Sequence, residues 1–313
     1  MQGKALLALL ACSGMASTAM GVAFPEVEGN GTKGTANLFS MVGGDTITGT
    51  AGSTTSDPDY FRIRTSFGTP GIYLNTLTSS TSLVNMHIRG VNMGFVAGDA
   101  NFGSARSPVK WYTVGSTGDN YVRAARGSSG STSYTLTLAQ TPITPTNAGS
   151  FSPGSIAISA NLTGDSELYL FDSNFNQIAG NDNRSFTDTR ALITQTLAAG
   201  TYYIAVGSGD SAGQTPYNTS DPLSPYYSVG TNAPTQIDPF FGGGIPLSTY
   251  ARGENIARSA TDYGITINGG SLIQATNGLG GLEMAFYTFE VIPSPSSLAL
   301  LGLGGLVATR RRR

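Results

Sequence analysis

Apolar and polar residues alternate with a period of two at intervals along most of the chain. Phe61 and Ile63 are flanked by Arg62 and Arg64, and Tyr134, Leu136 and Leu138 by Thr135 and Thr137. Ile156, Ile158 and Ala160 alternate with Ala157, Ser159 and Asn161, and the same rhythm returns at Tyr202, Ile204 and Val206 and at Tyr287, Phe289 and Val291. A period of two sends successive side chains to opposite faces of a strand, so each set predicts a half-buried strand. Clusters of Gly, Asn, Asp and Ser at 115–120 and 127–131 supply the turns between them. Short strands separated by turn residues predict an all-β fold of sandwich or barrel type. No amphipathic helix is legible inside the chain.

The two ends follow different rules. Lys4 precedes an apolar run from Ala5 to Ala11, and small residues follow. This is the layout of a secretory signal helix over residues 1–23, with cleavage after Ala23 or after Ala19. Leu9-Leu10-Ala11-Cys12 also resembles a lipobox, so lipoprotein processing at Cys12 is an alternative to signal peptidase I. At the other end, Pro293 and Pro295 stop any preceding strand, and Leu298 to Ala308 is apolar and uncharged. As a helix that run is only about 16 Å long, against a hydrocarbon core of roughly 30 Å. It predicts a marginal, transient membrane span held by Arg310, Arg311, Arg312 and Arg313 on the cytoplasmic side.

A Pro-x-Pro element (Pro293, Ser294, Pro295), a short Leu/Gly-rich helix and a closing arginine cluster together resemble the bacterial PEP-CTERM sorting tail over residues 293–313. The resemblance implies an exosortase-type partner, a membrane-embedded cysteine protease or transpeptidase that processes the tail near the proline motif. The motif departs from the family in lacking the acidic residue of its name.

Composition narrows the function. Charged residues are 12% of the chain, about half of what is usual for a soluble domain, and glycine contributes 42 residues. Setting aside Lys4 and the four terminal arginines leaves 12 basic groups against 19 acidic ones in residues 24–292, a net charge of −7. So acidic a body excludes nucleic-acid binding through counterion release. The single cysteine, Cys12, lies in the leader, and His87 is the single histidine. A mature chain then has no thiolate site, no multi-histidine zinc site and no disulfide.

Residues 141–149, Thr-Pro-Ile-Thr-Pro-Thr-Asn-Ala-Gly, carry two prolines and no charge and read as a linker between 24–140 and 150–292. In the second half, Leu168 to Phe171 ends in Asp172, Asn181-Asp182-Asn183 follows, and Ala199-Gly-Thr-Tyr-Tyr203 opens a strand. This series resembles the bacterial pre-peptidase C-terminal (PPC-like) β-sandwich, and Asp57-Pro-Asp-Tyr-Phe61 looks like the opening strand of the same module. The resemblance implies one or two tandem jelly-roll-like sandwiches, non-catalytic and used for binding or maturation. Residues 210–260 form a long loop insertion within the second unit.

Few residues nominate chemistry. Asp172, Asn174 and Asn176 place oxygen ligands at alternate positions, as a calcium loop does, and Asp182 could join them. A plain hairpin turn, which also favours Asp and Asn, is the simpler reading. No other cofactor has a candidate ligand set. Gly29-Asn-Gly31-Thr-Lys-Gly34 matches G-x-G-x-x-G without the βαβ context that dinucleotide binding needs. Thr46, Thr48 and Thr50 would share one strand face. The aromatic pairs Trp111-Tyr112, Tyr226-Tyr227 and Phe240-Phe241 would serve a core or stack on sugar. No motif among the 13 Asp and six Glu nominates the carboxylate pair of a glycosidase. The sequence thus predicts a non-enzymatic, exported cell-surface or matrix protein that contacts polysaccharide or surface proteins. Calcium-dependent carbohydrate binding and, behind it, carboxylate-dependent glycoside hydrolysis are the alternatives.

Overall fold

The computed structural model describes residues 21–52, 57–88, 108–126, 129–161, 166–181, 188, 190–208, 249–250, 263–275 and 284–293. The signal and sorting helices expected at the ends lie outside these residues. So does nearly all of the 210–260 insertion.

The described residues are β-structure with one 3-10 turn at Lys33–Thr35. The first half supplies β1 (Ala23–Pro25), β2 (Asn37–Met41), β3 (Thr46–Ala51), β4 (Asp59–Ser79), β5 (Val84–Ile88), β6 (Val109–Arg126) and β7 (Thr132–Pro142). The second supplies β8 (Thr146–Phe151), β9 (Gly154–Ala160), β10 (Ser166–Phe171), β11 (Gln177–Asn181), β12 (Leu192–Leu197), β13 (Gly200–Ser208), β14 (Thr249–Tyr250), β15 (Ile265–Ile267) and β16 (Met284–Val291). One eight-stranded sheet runs β1-β3-β7-β4-β6-β14, with β2 also on β4 and β5 on β6. A five-stranded sheet runs β11-β10-β13-β16-β8 and a three-stranded one β12-β9-β15. Pairing is antiparallel except for β1 with β3, β2 with β4 and β8 with β16. The eight- and five-stranded sheets are therefore mixed and the three-stranded sheet is antiparallel, an arrangement consistent with a β-sandwich.

The alternating residues do face inward. Phe61, Ile63, Leu136 and Leu138 pack with Met41, Ile47, Leu77 and Trp111 where the eight-stranded sheet curls over itself. The pairing of β4 with β6 shifts register between Ser66 and Gly71, and β4 feeds that core from both of its ends, with Phe61 and Ile63 before the shift and Leu77 after it. Ile156, Ile158, Ile204, Val206, Tyr287 and Phe289 fill a second core between the five- and three-stranded sheets. A third cluster joins the halves: Ile72, Tyr112 and Val114 meet Phe171, Ala205, Met284 and Phe286 on the other face of the five-stranded sheet.

That third cluster explains two departures from simple alternation. Met284 to Tyr287 is buried without interruption because β16 is covered on both faces. Trp111 and Tyr112 are both buried because each serves a different core, and Tyr112 meets Phe286 edge-on at 5.0 Å. The pair is core, not a sugar platform; Tyr226-Tyr227 and Phe240-Phe241 lie outside the described residues. Of the expected linker 141–149, only 143–145 fall between strands, and Ile143 N donates to Ile72 O at 2.8 Å. The prolines there end one strand and precede the next.

Candidate functional site

The Asp172 loop forms the tight connection from β10 to β11. Asp172 Oδ1 accepts from the backbone N–H groups of Asn174 (2.8 Å) and Asn176 (2.9 Å), and Oδ2 accepts from Asn176 Nδ2 (3.0 Å). Phe175 adopts the left-handed region, φ 63°, and its ring stacks on Tyr203 at 4.5 Å. Both carboxylate oxygens are thus used to build an Asx turn. Asp182, the fourth expected ligand, lies outside the described residues.

A different set of oxygens converges near the first of the described residues. Glu26 leaves β1 with its N–H bonded to Thr48 O at 2.8 Å. Its Oε1 accepts from Thr50 N (2.6 Å) and its Oε2 from the Tyr134 hydroxyl (2.7 Å). The same hydroxyl lies 2.8 Å from Asp59 Oδ2. A phenol has one proton to donate, so a second proton or a cation must satisfy the other carboxylate. Glycine at 49 makes the arrangement feasible: a Cβ there would collide with the Glu26 carboxylate and sit 2.5 Å from the Tyr134 oxygen.

Glu28 and Asp57 complete the cluster: one carboxylate oxygen from each of Glu28, Asp57 and Asp59 lies within 4.8 Å of the other two. Asp57 packs closely against Gly52, whose N–H donates to Asp57 O at 3.0 Å. Asn30 is set beside Asp59 by its carbonyl, which accepts from Tyr60 N at 3.0 Å. Asp59 is 0% exposed and Asn30 1%, and in each Oδ1 has no hydrogen-bond partner.

The electrostatics follow from that geometry. Burial pushes the Asp59 carboxyl up to about 8; the Tyr134 hydrogen bond opposes this, and the Glu26 and Asp57 charges add to it. Glu28 is raised by desolvation and then by Glu26 and Asp57. Tyr134 is raised far above an ordinary phenol by burial and by the Asp59 charge, so it stays a donor. The carboxyls gather at one spot rather than across a cleft, whereas glycoside hydrolysis needs about 5 Å or more between them with a sugar in between.

The remaining candidates are quickly placed. Pro293 is exposed; Ser294, Pro295 and Arg310, Arg311, Arg312 and Arg313 lie outside the described residues. His87 is on β5, paired with Arg123. The glycine motif 29–34 leads into the 3-10 turn and is flanked by β1 and β2, not by a βαβ unit. Thr46, Thr48 and Thr50 lie opposite Thr137, Thr135 and Ser133 of β7, which widens the hydroxyl row into a two-strand patch. Sequence reasoning passed over the acidic cluster. Its one signal was the pairing of Glu26-Val-Glu28-Gly-Asn30 with Asp57-Pro-Asp59, two short runs of alternating oxygen side chains.

Residues 127–208 match the bacterial pre-peptidase C-terminal (PPC) domain. The match spans β7 to β13, and so begins in the eight-stranded sheet before the expected 150 boundary. No curated protein matches the chain. PPC domains are non-catalytic modules generally associated with secreted or cell-surface proteins, which is consistent with a non-enzymatic protein.

Proposed function

We propose that this chain is an exported protein held at the bacterial surface or in the extracellular matrix, where two jelly-roll-like sandwich units, about 24–140 and 150–292, contact polysaccharide or neighbouring surface proteins. The observation that carries the reading is the PPC match on a β-sandwich half, in a chain whose ends read as an export signal and a sorting tail. The leader is removed after Ala19 rather than Ala23. Cleavage after Ala23 would sever β1 and strand Asp45, whose Oδ1 accepts from Val22 N at 2.7 Å. The exosortase-type partner then acts near Pro293, releasing the apolar helix and Arg310 to Arg313. The uncharged hydroxyl patch of β3 and β7 suits a neutral polysaccharide, which offers hydroxyls at similar spacing.

Intact-mass measurement on protein recovered from the native host tests this reading. Loss of residues 1–19 and of the tail beyond the Pro293 region, in the surface fraction, is the expected result. Full-length chain in the cytosol would refute it.

A further inference from the structure

The chain leaves its second sandwich at an end unlike the other. β16 runs to Val291, which lies opposite Gly200 of β13 on one side and Phe151 of β8 on the other. Ile292 N then donates to Phe151 O at 2.9 Å, so the sheet holds the backbone as far as the residue before Pro293. The turns from β8 to β9 and from β12 to β13 therefore flank this exit, each about 5 Å away, one strand spacing. The turn after β15 lies at the same end, where Asn268 N donates to Ala157 O at 2.8 Å near the start of β9. Residues 143–161, 191–208 and 263–275, which supply all three turns, contain no charged side chain. Pro153, Ala198, Ala199 and Ile292 are exposed, Ile292 by 48%. Beside them Phe151 and Tyr202 are half-buried, and their rings pack on Phe289 at 5.8 and 5.5 Å. At the opposite end, next to the backbone bond from Ala160 N to Ala191 O, Asp188 and Arg190 form an ion pair at 2.8 Å. Two acids do lie near the exit. Asp172 has both oxygens bonded within its own turn, and Glu290 stands opposite Thr201.

The sequence beyond the exit sets a distance. Five residues, 293–297, separate it from the apolar run that begins at Leu298. Fully extended, they span at most about 17 Å. With that run in a bilayer, about 6 Å of this reach crosses the headgroup layer, so the exit end stays within roughly 10 Å of the lipid surface. Arg310 to Arg313 on the cytoplasmic side place the sandwich on the other side of the membrane.

We propose that this end of the second sandwich docks on the lipid surface itself while the tail is inserted, which presupposes the sorting-tail reading above. Neutral turns enter the interface without desolvating a charge. Ile292 and Pro153 bury apolar surface there, and Phe151 and Tyr202 sit just behind them, where aromatic rings favour a membrane–water interface. The rest of the body is repelled by anionic lipid, since residues 24–292 carry a net charge of −7, and this end is left as the one that approaches. A tether this short gives an effective concentration of order millimolar, so a weak contact suffices. Docking fixes the orientation of the body and presents Pro293 at the level of the headgroups, within reach of a membrane-embedded processing enzyme. Cutting the tail removes the tether and releases the contact.

Fluorescence quenching by spin-labelled lipid headgroups tests the contact. The tail-bearing precursor is taken from the membranes of a bacterial host without a sorting enzyme and reconstituted in phosphatidylcholine–phosphatidylglycerol vesicles. The native Cys12 leaves with the leader, so Ala198→Cys at the exit end and Arg190→Cys at the opposite end each carry a single label. Quenching at position 198 should exceed that at position 190 by at least about threefold and persist in about 0.5 M salt, because the contact is not ionic. Ile292→Glu should at least halve the signal at position 198, while the chain still sediments with the vesicles and keeps its circular dichroism spectrum. Equal quenching at the two positions in sedimenting chain, loss of the difference in salt, or indifference to Ile292→Glu would overturn the docking and leave the tail reading standing. Chain that stays out of the vesicle pellet would overturn both.

Discussion

At Asp172 both carboxylate oxygens receive hydrogen bonds from the turn they sit in. At Asp59 one oxygen shares the Tyr134 hydroxyl with Glu26, and the other receives nothing. The two regions use the same side-chain types at similar spacing, Asp-x-Asn-x-Asn in one and Glu-x-Glu-x-Asn with Asp-x-Asp in the other. The first is a local device: its partners lie within four residues, and the carboxylate stabilises a backbone that includes a left-handed Phe175. The second is a tertiary device, gathered from residues as far apart as Glu26 and Tyr134. Ligand-like spacing alone therefore does not separate a turn from a site. What separates them is whether the oxygens are already paid for by nearby N–H groups.

The largest expected effect comes from removing the space the acidic cluster occupies. Gly49→Ala should destabilise the protein by about 3 kcal/mol in urea denaturation, because the new methyl displaces the Glu26 carboxylate from Thr50 N and Tyr134. A loss under about 0.5 kcal/mol would mean that the carboxylate is not held over β3.

Next in size is a pH effect confined to this region. The native Asp59 carboxyl titrates near 8, far above its ordinary value of 3.8. Between those limits the folded chain holds a proton that the unfolded chain has released. Unfolding then releases that proton, so stability falls as pH rises through this window. In chelator, the wild type should lose of order 2 kcal/mol between pH 6 and pH 8. Asp59→Asn should flatten the slope and leave the protein more stable than wild type at pH 8, since a neutral amide replaces a buried charge. An unchanged slope in the variant would assign it to another group.

The same substitution in the other region should have the opposite sign. Asp172→Asn weakens charge-assisted bonds to two backbone N–H groups and to Asn176, and should cost about 1 kcal/mol. Stabilisation by Asp172→Asn would erase the contrast between the regions.

Much of the fold was legible because alternation is a local signal. Phe61 and Ile63, Leu136 and Leu138, and Ile156 and Ile158 are buried where period two placed them. The signal failed where a strand is covered twice. Met284 and Phe286 break the alternation of β16 because the first half of the chain packs on the second face of that sheet. It failed also at 141–149, where two prolines and an absence of charge suggested a linker. Pro142 ends β7 and Pro145 precedes β8, positions at which a strand tolerates a residue without an N–H. The candidate site was least legible. Its carboxylates come from two segments separated by β2 and β3, and Tyr134 reaches them from β7.

The sequence by itself determined the strand-forming class, the acidic body and the poverty of catalytic side chains, because each depends on composition or on neighbours a few residues apart. Tertiary structure alone decided that three carboxylates share one spot, that Asp59 is sealed from water there, and that Trp111 and Tyr112 serve different cores. Those outcomes depend on register between distant strands and on what covers each sheet face, and solvent exclusion has no local signature.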